Sequence, residues 1–433
     1  MPWMVARDYK YVLLGGGNSA GYAAREFVKR GGPKGELAII TDEPYVAYER
    51  PALSKAYLFP EGFARLPGFH ACVGGGGDRQ EPAWYTEHGI EYLTSTKVVS
   101  ADVASKTLTT AAGDTITYEK LIIGTGARPV SLADFKTPGA DLSGVFYLRN
   151  VQDADVLLAA IKECKAAGGK AVCIGGGYIG MECAAGLAMQ GLDVTMVFPE
   201  SRLMERLFTP ELAAFYEGYY AEKGIKILKG DLAVALEGSN GKVAGVRLKS
   251  GGQVEASLVL VGVGARPNVE LFKGQLDLLE KAPGGIKVNS RLQTSDPDVY
   301  AVGDVAAFPL KLTGAVTRQE HVTNSRLTGA YAVGELLAPG TQPEYDYLPF
   351  FYSRVFSLSW QFYGLGEGEV VLYGDRANGS KFGAYWVKEG QVVGAFLESG
   401  SPEEFAGIKK VAQAQPAAPV DLAQQGLGFA SKL

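Results

Sequence analysis

Twice along the chain a short, unbroken apolar run breaks into three consecutive glycines and resumes with the spacing of a helix. The run Tyr11-Val12-Leu13-Leu14 precedes Gly15-Gly16-Gly17-Asn18-Ser19-Ala20, and Ala171-Val172-Cys173-Ile174 precedes Gly175-Gly176-Gly177-Tyr178-Ile179-Gly180. Apolar runs without polar alternation are the pattern of strands buried on both faces. After the first glycines, Ala20, Ala23, Ala24 and Phe27 share one helical face, and Glu36 to Ile40 reads as the next strand. The loop Gly31-Gly32-Pro33-Lys34-Gly35 between them is full of turn-formers. After the second glycines the chain reaches Val194-Thr195-Met196-Val197-Phe198. Between the two units lie a Gly-rich loop from Gly74 to Gly77, a short helix near Trp84, and alternating strands from Ile90 to Thr117.

The two halves close alike. Leu121-Ile122-Ile123-Gly124-Thr125-Gly126 and Leu258-Val259-Leu260-Val261-Gly262-Val263-Gly264 each read as a buried strand ending in small residues, and each is followed by Ala-Arg-Pro. This is an internal repeat. Beyond Val299-Tyr300-Ala301-Val302-Gly303-Asp304 the composition shifts to aromatic-rich strands, from Tyr345 to Tyr363 and from Phe382 to Phe396. In a strand–turn–helix context the glycines carry chemistry. The first allows the turn, the second lets a pyrophosphate approach the backbone, and the third position must be small for helix–strand packing. The phosphates then meet unpaired N–H groups at a helix N-terminus. An acid at the end of the following strand accepts from a ribose: Asp42 or, preferred, Glu43 in the first unit, and Glu200 in the second. Two such units imply two dinucleotides, and the usual reason to hold two is electron transfer between them. The predicted fold is α/β: two Rossmann-like nucleotide-binding domains, residues 1–125 with 265–325 and residues 126–264, plus a smaller α+β domain at 326–433.

Composition narrows the class. A chain of 433 residues, 47% hydrophobic and 21% charged, fits a soluble protein of about three domains. Its longest apolar stretches, such as Leu258 to Ala265, fall short of the ~20 residues that cross a bilayer. Met1 to Lys10 has no leader character, and a net charge of −5 predicts neither nucleic acid nor an acidic membrane as partner. Cys72, Cys164, Cys173 and Cys183 have no paired spacing, so no redox disulfide, iron–sulfur cluster or metal site is expected. Cys173 and Cys183 read as inert core thiols, Cys72 as a loop thiol open to solvent. The chain ends in Ser431-Lys432-Leu433, the tripeptide read by the peroxisomal import receptor, after a Pro416–Pro419 segment and a Leu422–Leu427 stretch that read as a mobile surface tail. The peroxisomal matrix is the expected location, with cytoplasm second.

Together the paired turns, the repeated Gly-x-Gly-Ala-Arg-Pro strands and Ala301-Val302-Gly303-Asp304 resemble the FAD/NAD(P)-linked pyridine nucleotide-disulfide reductase superfamily. Tyr48-Glu49-Arg50-Pro51-Ala52-Leu53-Ser54-Lys55 is similar to its disulfide-free branch of ferredoxin reductases and apoptosis-inducing factor. Several stretches resemble the plant-type monodehydroascorbate reductases: Arg65-Leu66-Pro67-Gly68-Phe69-His70, Met196-Val197-Phe198-Pro199-Glu200, Ala213-Ala214-Phe215-Tyr216-Glu217, and Tyr345-Asp346-Tyr347-Leu348-Pro349. The likeness runs from about residue 9 to the end.

That resemblance implies non-covalent FAD in the first domain, NADH in preference to NADPH in the second, and the monodehydroascorbate radical as acceptor. It implies FAD contacts at Gly15, Gly16, Gly17, Asn18, Ser19, Glu43, Arg50, Lys55, Val98, Arg149, Asp304 and Val322. Nicotinamide-cofactor contacts would be Gly176, Gly177, Tyr178, Ile179, Gly180, Glu200, Arg206, Gly264, Glu320 and His321. The radical would meet Arg326, Tyr352 and Arg354. Departures from the family pattern are Asn18-Ser19 at the first turn, Asn150 after Arg149, and Met204-Glu205-Arg206.

The residues carry parts of this chemistry by themselves. A lysine near a flavin stabilises developing negative charge, and Lys55 with Glu182 as buried partner fits that role, with Tyr352 at the acceptor. Glu200 accepts from a ribose 2′-hydroxyl and repels a 2′-phosphate, while Arg202 and Arg206 soften that choice. Arginines offer permanent charge to an anionic acceptor; the alternative for Arg326 and Arg354 is a surface salt bridge. Tyr352 also reads as core packing, and His321 as a satisfied core histidine. Two other functions stay open: an NADH–ferredoxin or rubredoxin reductase, which needs a basic docking face, and an apoptosis-inducing-factor-like protein whose NADH binding controls a partner. A monomer is expected.

Overall fold

Polar alternation is missing from Tyr11-Val12-Leu13-Leu14 because this stretch is the buried end of a central parallel strand, Ala6–Leu14. The computed structural model describes residues 6–72, 77–166, 168–376 and 381–433. They fall into two compact units: Met1–Pro51, Ala64–Arg128 and Ala265–Tyr347, and Ala52–Phe63, Pro129–Gly264 and Leu348–Leu433.

In the first unit, Ala6–Leu14 pairs in parallel with Leu37–Ile40 on one side and Thr115–Ile123 on the other, so that Leu14 faces both Ile40 and Ile123. Glu91–Leu93 and Val299–Ala301 extend the two ends in parallel, and an antiparallel hairpin, Val98–Asp102 with Thr107–Thr110, completes the sheet. The apolar face Ala20, Ala23, Ala24 and Phe27 of helix Asn18–Lys29 is buried as its spacing predicts. This helix packs against helix Val322–Leu337 at backbone distance, because a Cβ on Gly329 would stand 2.3 Å from the carbonyl oxygen of Ser19. Helix Val322–Leu337 runs unbroken through residue 326, where the sequence pattern placed a domain start.

The second unit repeats the arrangement. Five parallel strands run in the order Lys226–Lys229, Asp193–Phe198, Lys170–Ile174, Leu258–Val261, Val145–Phe146. A three-stranded antiparallel meander, Ala233–Ser239, Lys242–Leu248 and Gln253–Glu255, shares a core with that sheet through Val172, Val197, Leu236 and Val246. The aromatic-rich segments form an antiparallel five-stranded sheet in the order Phe350–Val355, Leu358–Gly364, Gln391–Glu398, Phe382–Lys388, Glu369–Gly374. Its aromatic content has a clear use. Phe208 sits 4.8 Å from Tyr216, 5.6 Å from Trp360 and 5.9 Å from Phe396, ring centre to ring centre, so this sheet and helix Pro210–Glu222 bury one common core.

Two expectations about exposure are corrected. Cys72 is buried, and that burial pushes its thiol above the usual range, so it is no accessible thiolate; residues 74–76 of the expected Gly-rich loop lie outside the described residues. The stretch after Pro416 is no mobile tail. Val392 N–H donates to Pro416 and Ala418 N–H to Gly390, and the short helices Leu422–Gln425 and Leu427–Ala430 bury Leu422, Phe429 and Ala430. Apolar residues spaced for a helical turn outweighed the proline-rich lead-in. Ser431, Lys432 and Leu433 are exposed.

Gly329→Ala should force apart the helices Asn18–Lys29 and Val322–Leu337, since a backbone carbonyl cannot yield like a side-chain tip. A loss of about 2 kcal/mol and a fall in melting temperature on the order of 5 °C are expected in thermal denaturation. An unchanged melting temperature would show that the pair has slack.

Candidate functional site

The two glycine turns are built alike. Gly15 and Gly175 both have φ of 126°, and a Cβ on either would stand 2.1 or 2.2 Å from the carbonyl oxygen of Gly124 or Gly262 on the neighbouring strand. Only glycine fits such a position. Gly17 and Gly177 are the N-caps of helices Asn18–Lys29 and Tyr178–Met189, and neither helix start has a side-chain cap. Each 12-residue helix therefore offers first-turn N–H groups to an anion.

Around the first turn the donor set fits a dinucleotide. The Arg50 Nε lies 3.5 Å from where a Gly17 Cβ would be, which puts a guanidinium beside the turn. Burial opposes its charge, but Tyr48 and Glu43 outweigh that and raise Arg50 above its ordinary value. Arg50 is ion-paired with Glu43 and donates to the Tyr48 hydroxyl at 2.9 Å. Glu43, which follows strand Leu37–Ile40 as the sequence reading expects of a ribose-binding acid, is held by these two neighbours. Asp304 lies in the turn Gly303–Val305 and accepts from Ser325 Oγ at 3.1 Å. A Cβ on Gly303 would meet Ser19 Oγ at 2.5 Å, so this turn abuts the start of helix Asn18–Lys29. Val322 opens helix Val322–Leu337, and Val98 is buried at the start of its hairpin strand.

Asn18, a departure from the family pattern, has a partner. Its Nδ2 donates to Glu49 at 2.5 Å; Tyr22 donates to the same carboxylate at 3.0 Å and Arg326 at 2.7 Å. Arg326 also lies 5.2 Å from the Tyr22 ring centre. The arginine expected at the acceptor is therefore in an ion pair, as the alternative reading had it, but with a buried carboxylate and not at the surface.

In the second unit, Glu182 sits one turn into helix Tyr178–Met189 and its side chain is 0% exposed. Lys55 Nζ donates to Glu182 Oε2 at 2.7 Å, Ser54 Oγ to the same oxygen at 2.5 Å, and Ser353 Oγ to Oε1 at 2.6 Å. Residues 53–58 are turns that no helix or strand would hold in place. They are anchored by fully buried Leu58, by Gln190 Nε2 donating to the Leu58 carbonyl at 2.8 Å, and by Tyr57 donating to Asp155 at 2.5 Å. Lys55 Nζ is 5.4 Å from the ring centre of Tyr352. The expected Lys55–Glu182 pair is formed, and Tyr352 joins it.

Near the second turn, Glu200 is exposed after strand Asp193–Phe198. Met204 N–H donates to the Gly176 carbonyl at 2.9 Å, which folds residues 201–208 against the glycines. Arg202 is spent on that fold, donating to the Phe208 carbonyl at 2.9 Å and pairing with Glu205, whereas Arg206 is exposed. Tyr178, Ile179 and Gly180 form the first turn of the helix, and Gly264 ends the Leu258–Gly264 segment with φ of 118°. Arg149 belongs to the second unit, where its N–H donates to Asp153 at 2.9 Å; Asn150 accepts from Asp153 N–H and so caps helix Val151–Ala166. Glu320 and His321 belong to the first unit. Glu320 pairs with Arg318. His321 caps helix Val322–Leu337 with Tyr347 hydroxyl 3.5 Å from Nδ1, and burial lowers its imidazole to about 4. Arg354 is exposed on strand Phe350–Val355.

Four residues escaped the sequence reading: Ser54, Ser353, Glu49 and Tyr48. Three of them lie inside the quoted Tyr48–Lys55 segment. Ser353 had a signal of its own, a small polar residue in an aromatic strand, on the face opposite Tyr352 and Arg354.

Comparison with known proteins places these features in a family. The pyridine nucleotide-disulphide oxidoreductase profile matches residues 9–329, and the profile of a monodehydroascorbate reductase 3-like C-terminal domain matches residues 348–430. The chain is 56% identical to a monodehydroascorbate reductase of Solanum lycopersicum, over 99% of this chain and 100% of that one. It is 53% identical to the peroxisomal monodehydroascorbate reductase 4 of Arabidopsis thaliana, over 98% and 87%, and 54% identical to a cytosolic counterpart from Oryza sativa, over 99% of each. Among solved structures, a ferredoxin reductase from Rhodopseudomonas palustris superposes with a TM-score of 0.84 at 31% identity, over 98% of this chain and 99% of that one.

Lys55→Met strands the buried Glu182 carboxylate with two hydroxyl partners and should destabilise the protein by about 3 kcal/mol. Adding Glu182→Gln, whose amide can serve both serines, should restore more than half of that loss. Thermal unfolding of the single and double variants checks the order; a double variant no more stable than Lys55→Met contradicts the pairing.

Proposed function

This chain belongs to the pyridine nucleotide-disulphide oxidoreductase family, in its monodehydroascorbate reductase branch, and from that we propose that it reduces the monodehydroascorbate radical to ascorbate with electrons from NADH. The protein is an FAD-dependent oxidoreductase. The observation that carries the proposal is the match at residues 348–430, because that segment supplies the strand with Tyr352 and Arg354. When bound, the flavin accepts electrons as a pair from the nicotinamide and releases them singly, which suits a radical acceptor.

The chain's own residues divide the work. The helix starting at Asn18, with Arg50 and Glu43, holds the flavin dinucleotide by its pyrophosphate and ribose. The helix starting at Tyr178 holds the nicotinamide dinucleotide in the same way, with Glu200 reading its ribose. Lys55, oriented by Glu182, supplies a fixed cation where negative charge develops during reduction. Tyr352 and Arg354 serve the anionic radical, arginine being the side chain that stays charged whatever the pH. The functional modules are the two that carry the glycine turns, 1–125 with the segment from 265 and 126–264, and a C-terminal module that takes in residues 348–430, acting as a monomer. A ferredoxin as acceptor would call for a basic docking face, which a net charge of −5 does not favour. Two features support peroxisomal residence: the exposed Ser431-Lys432-Leu433 end and the peroxisomal relatives.

Steady-state NADH oxidation should accelerate when the ascorbyl radical is generated enzymatically and should respond weakly to added ferredoxin; no rate above background with the radical would end the proposal. Glu200→Ala should narrow the ratio of NADH to NADPH turnover by about tenfold, the size of one lost charged hydrogen bond, with little change in kcat for NADH. An unchanged ratio removes Glu200 from the site. Fused behind a fluorescent protein, the chain should collect in peroxisomes and, without its last three residues, in the cytosol; the same distribution for both would refute the targeting role.

A further inference from the structure

Strand Phe350–Val355 meets helix Tyr178–Met189 through two matched contacts. Tyr178 and Glu182 are four residues apart on the helix, about 6 Å along its axis, and Phe351 and Ser353 are two apart on the strand, about 6.6 Å. The rings of Tyr178 and Phe351 meet edge to face at 4.7 Å, and Ser353 Oγ donates to Glu182 at 2.6 Å. Because side chains alternate along a strand, Tyr352 and Arg354 project from the other face. Phe351 is seated further by Trp360 at 5.2 Å. Ser353 itself is buried. It is the only hydrogen-bonding side chain that this strand sends to the helix among the described contacts.

We propose that Ser353 is a positioning residue for acceptor binding: its bond to Glu182 sets the register of the strand, and with it the places of Tyr352 and Arg354 relative to Lys55. An apolar contact such as Tyr178–Phe351 tolerates sliding, whereas a hydrogen bond to a buried carboxylate does not. The carboxylate that orients Lys55 through Oε2 thereby orients the acceptor strand through Oε1. This inference rests on the assignment of Tyr352 and Arg354 to the radical.

The test compares holoenzyme of wild type, Ser353→Ala and Ser353→Thr, the last of which keeps the hydroxyl. In Ser353→Ala the KM for the radical should rise about fivefold to tenfold, as expected for partial loss of a charge-assisted hydrogen bond, while kcat and the NADH-driven bleaching of the flavin band change less than about twofold. Amide hydrogen exchange over residues 350–355 should quicken, and Ser353→Thr should restore both properties. An unchanged KM with unchanged exchange overturns the inference. A parallel fall of KM-independent bleaching and kcat, not rescued by threonine, also overturns it, since that marks general loss of packing. Failure of the wild type to turn over the radical would instead strike the proposed substrate, and exchange over 350–355 would then decide alone whether Ser353 sets the strand.

Discussion

A carboxylate with no exposed surface has to be answered by donors, and in the second unit the answers to Glu182 come from two separate stretches of chain. Helix Tyr178–Met189 brings the carboxylate, turns 53–58 bring Lys55 and Ser54, and strand Phe350–Val355 brings Ser353. Removing water from such a group costs several kcal/mol unless every partner is in place, so the arrangement tolerates little drift. An irregular turn segment thereby acquires the positional accuracy of a helix. The lysine it carries becomes a cation of fixed direction, the property that electrostatic stabilisation requires.

The remainder of the fold supplies two copies of one anion cradle. In both units a strand rich in unbroken apolar residues ends at a glycine with φ of 126°, and the neighbouring strand's carbonyl fills the space a side chain would need. The uncapped helix that follows presents its first N–H groups. The two cradles differ in what surrounds them. The first is flanked by Arg50 and the Glu43–Tyr48 pair, the second by a loop whose Met204 N–H grips the Gly176 carbonyl. Sequence repetition therefore fixes the geometry of the two turns, and their neighbours set them apart.

Much of this was legible in the chain because it depends on local rules. Strand–glycine–helix boundaries, the buried face of Ala20, Ala23, Ala24 and Phe27, and the echo of 121–126 in 258–264 follow from spacing alone. The Lys55–Glu182 pair joins residues 127 positions apart, and the resemblance carried most of that expectation. Contacts that depend on tertiary packing stayed hidden. Nothing local announces that Glu49 collects Asn18, Tyr22 and Arg326, or that Cys72 is buried. The C-terminal stretch misled for a related reason: prolines at 416 and 419 read as a loose tail, yet backbone bonds to Gly390 and Val392 and the burial of Leu422 and Phe429 dock it.

The most direct test of the account is stoichiometric. Under anaerobic conditions, a known amount of NADH is given to the FAD-loaded protein, and the ascorbyl radical consumed is counted by electron spin resonance. The account requires about two radicals for each NADH, because paired electrons enter and single electrons leave. A ratio near one, or radical decay indifferent to NADH, would contradict it.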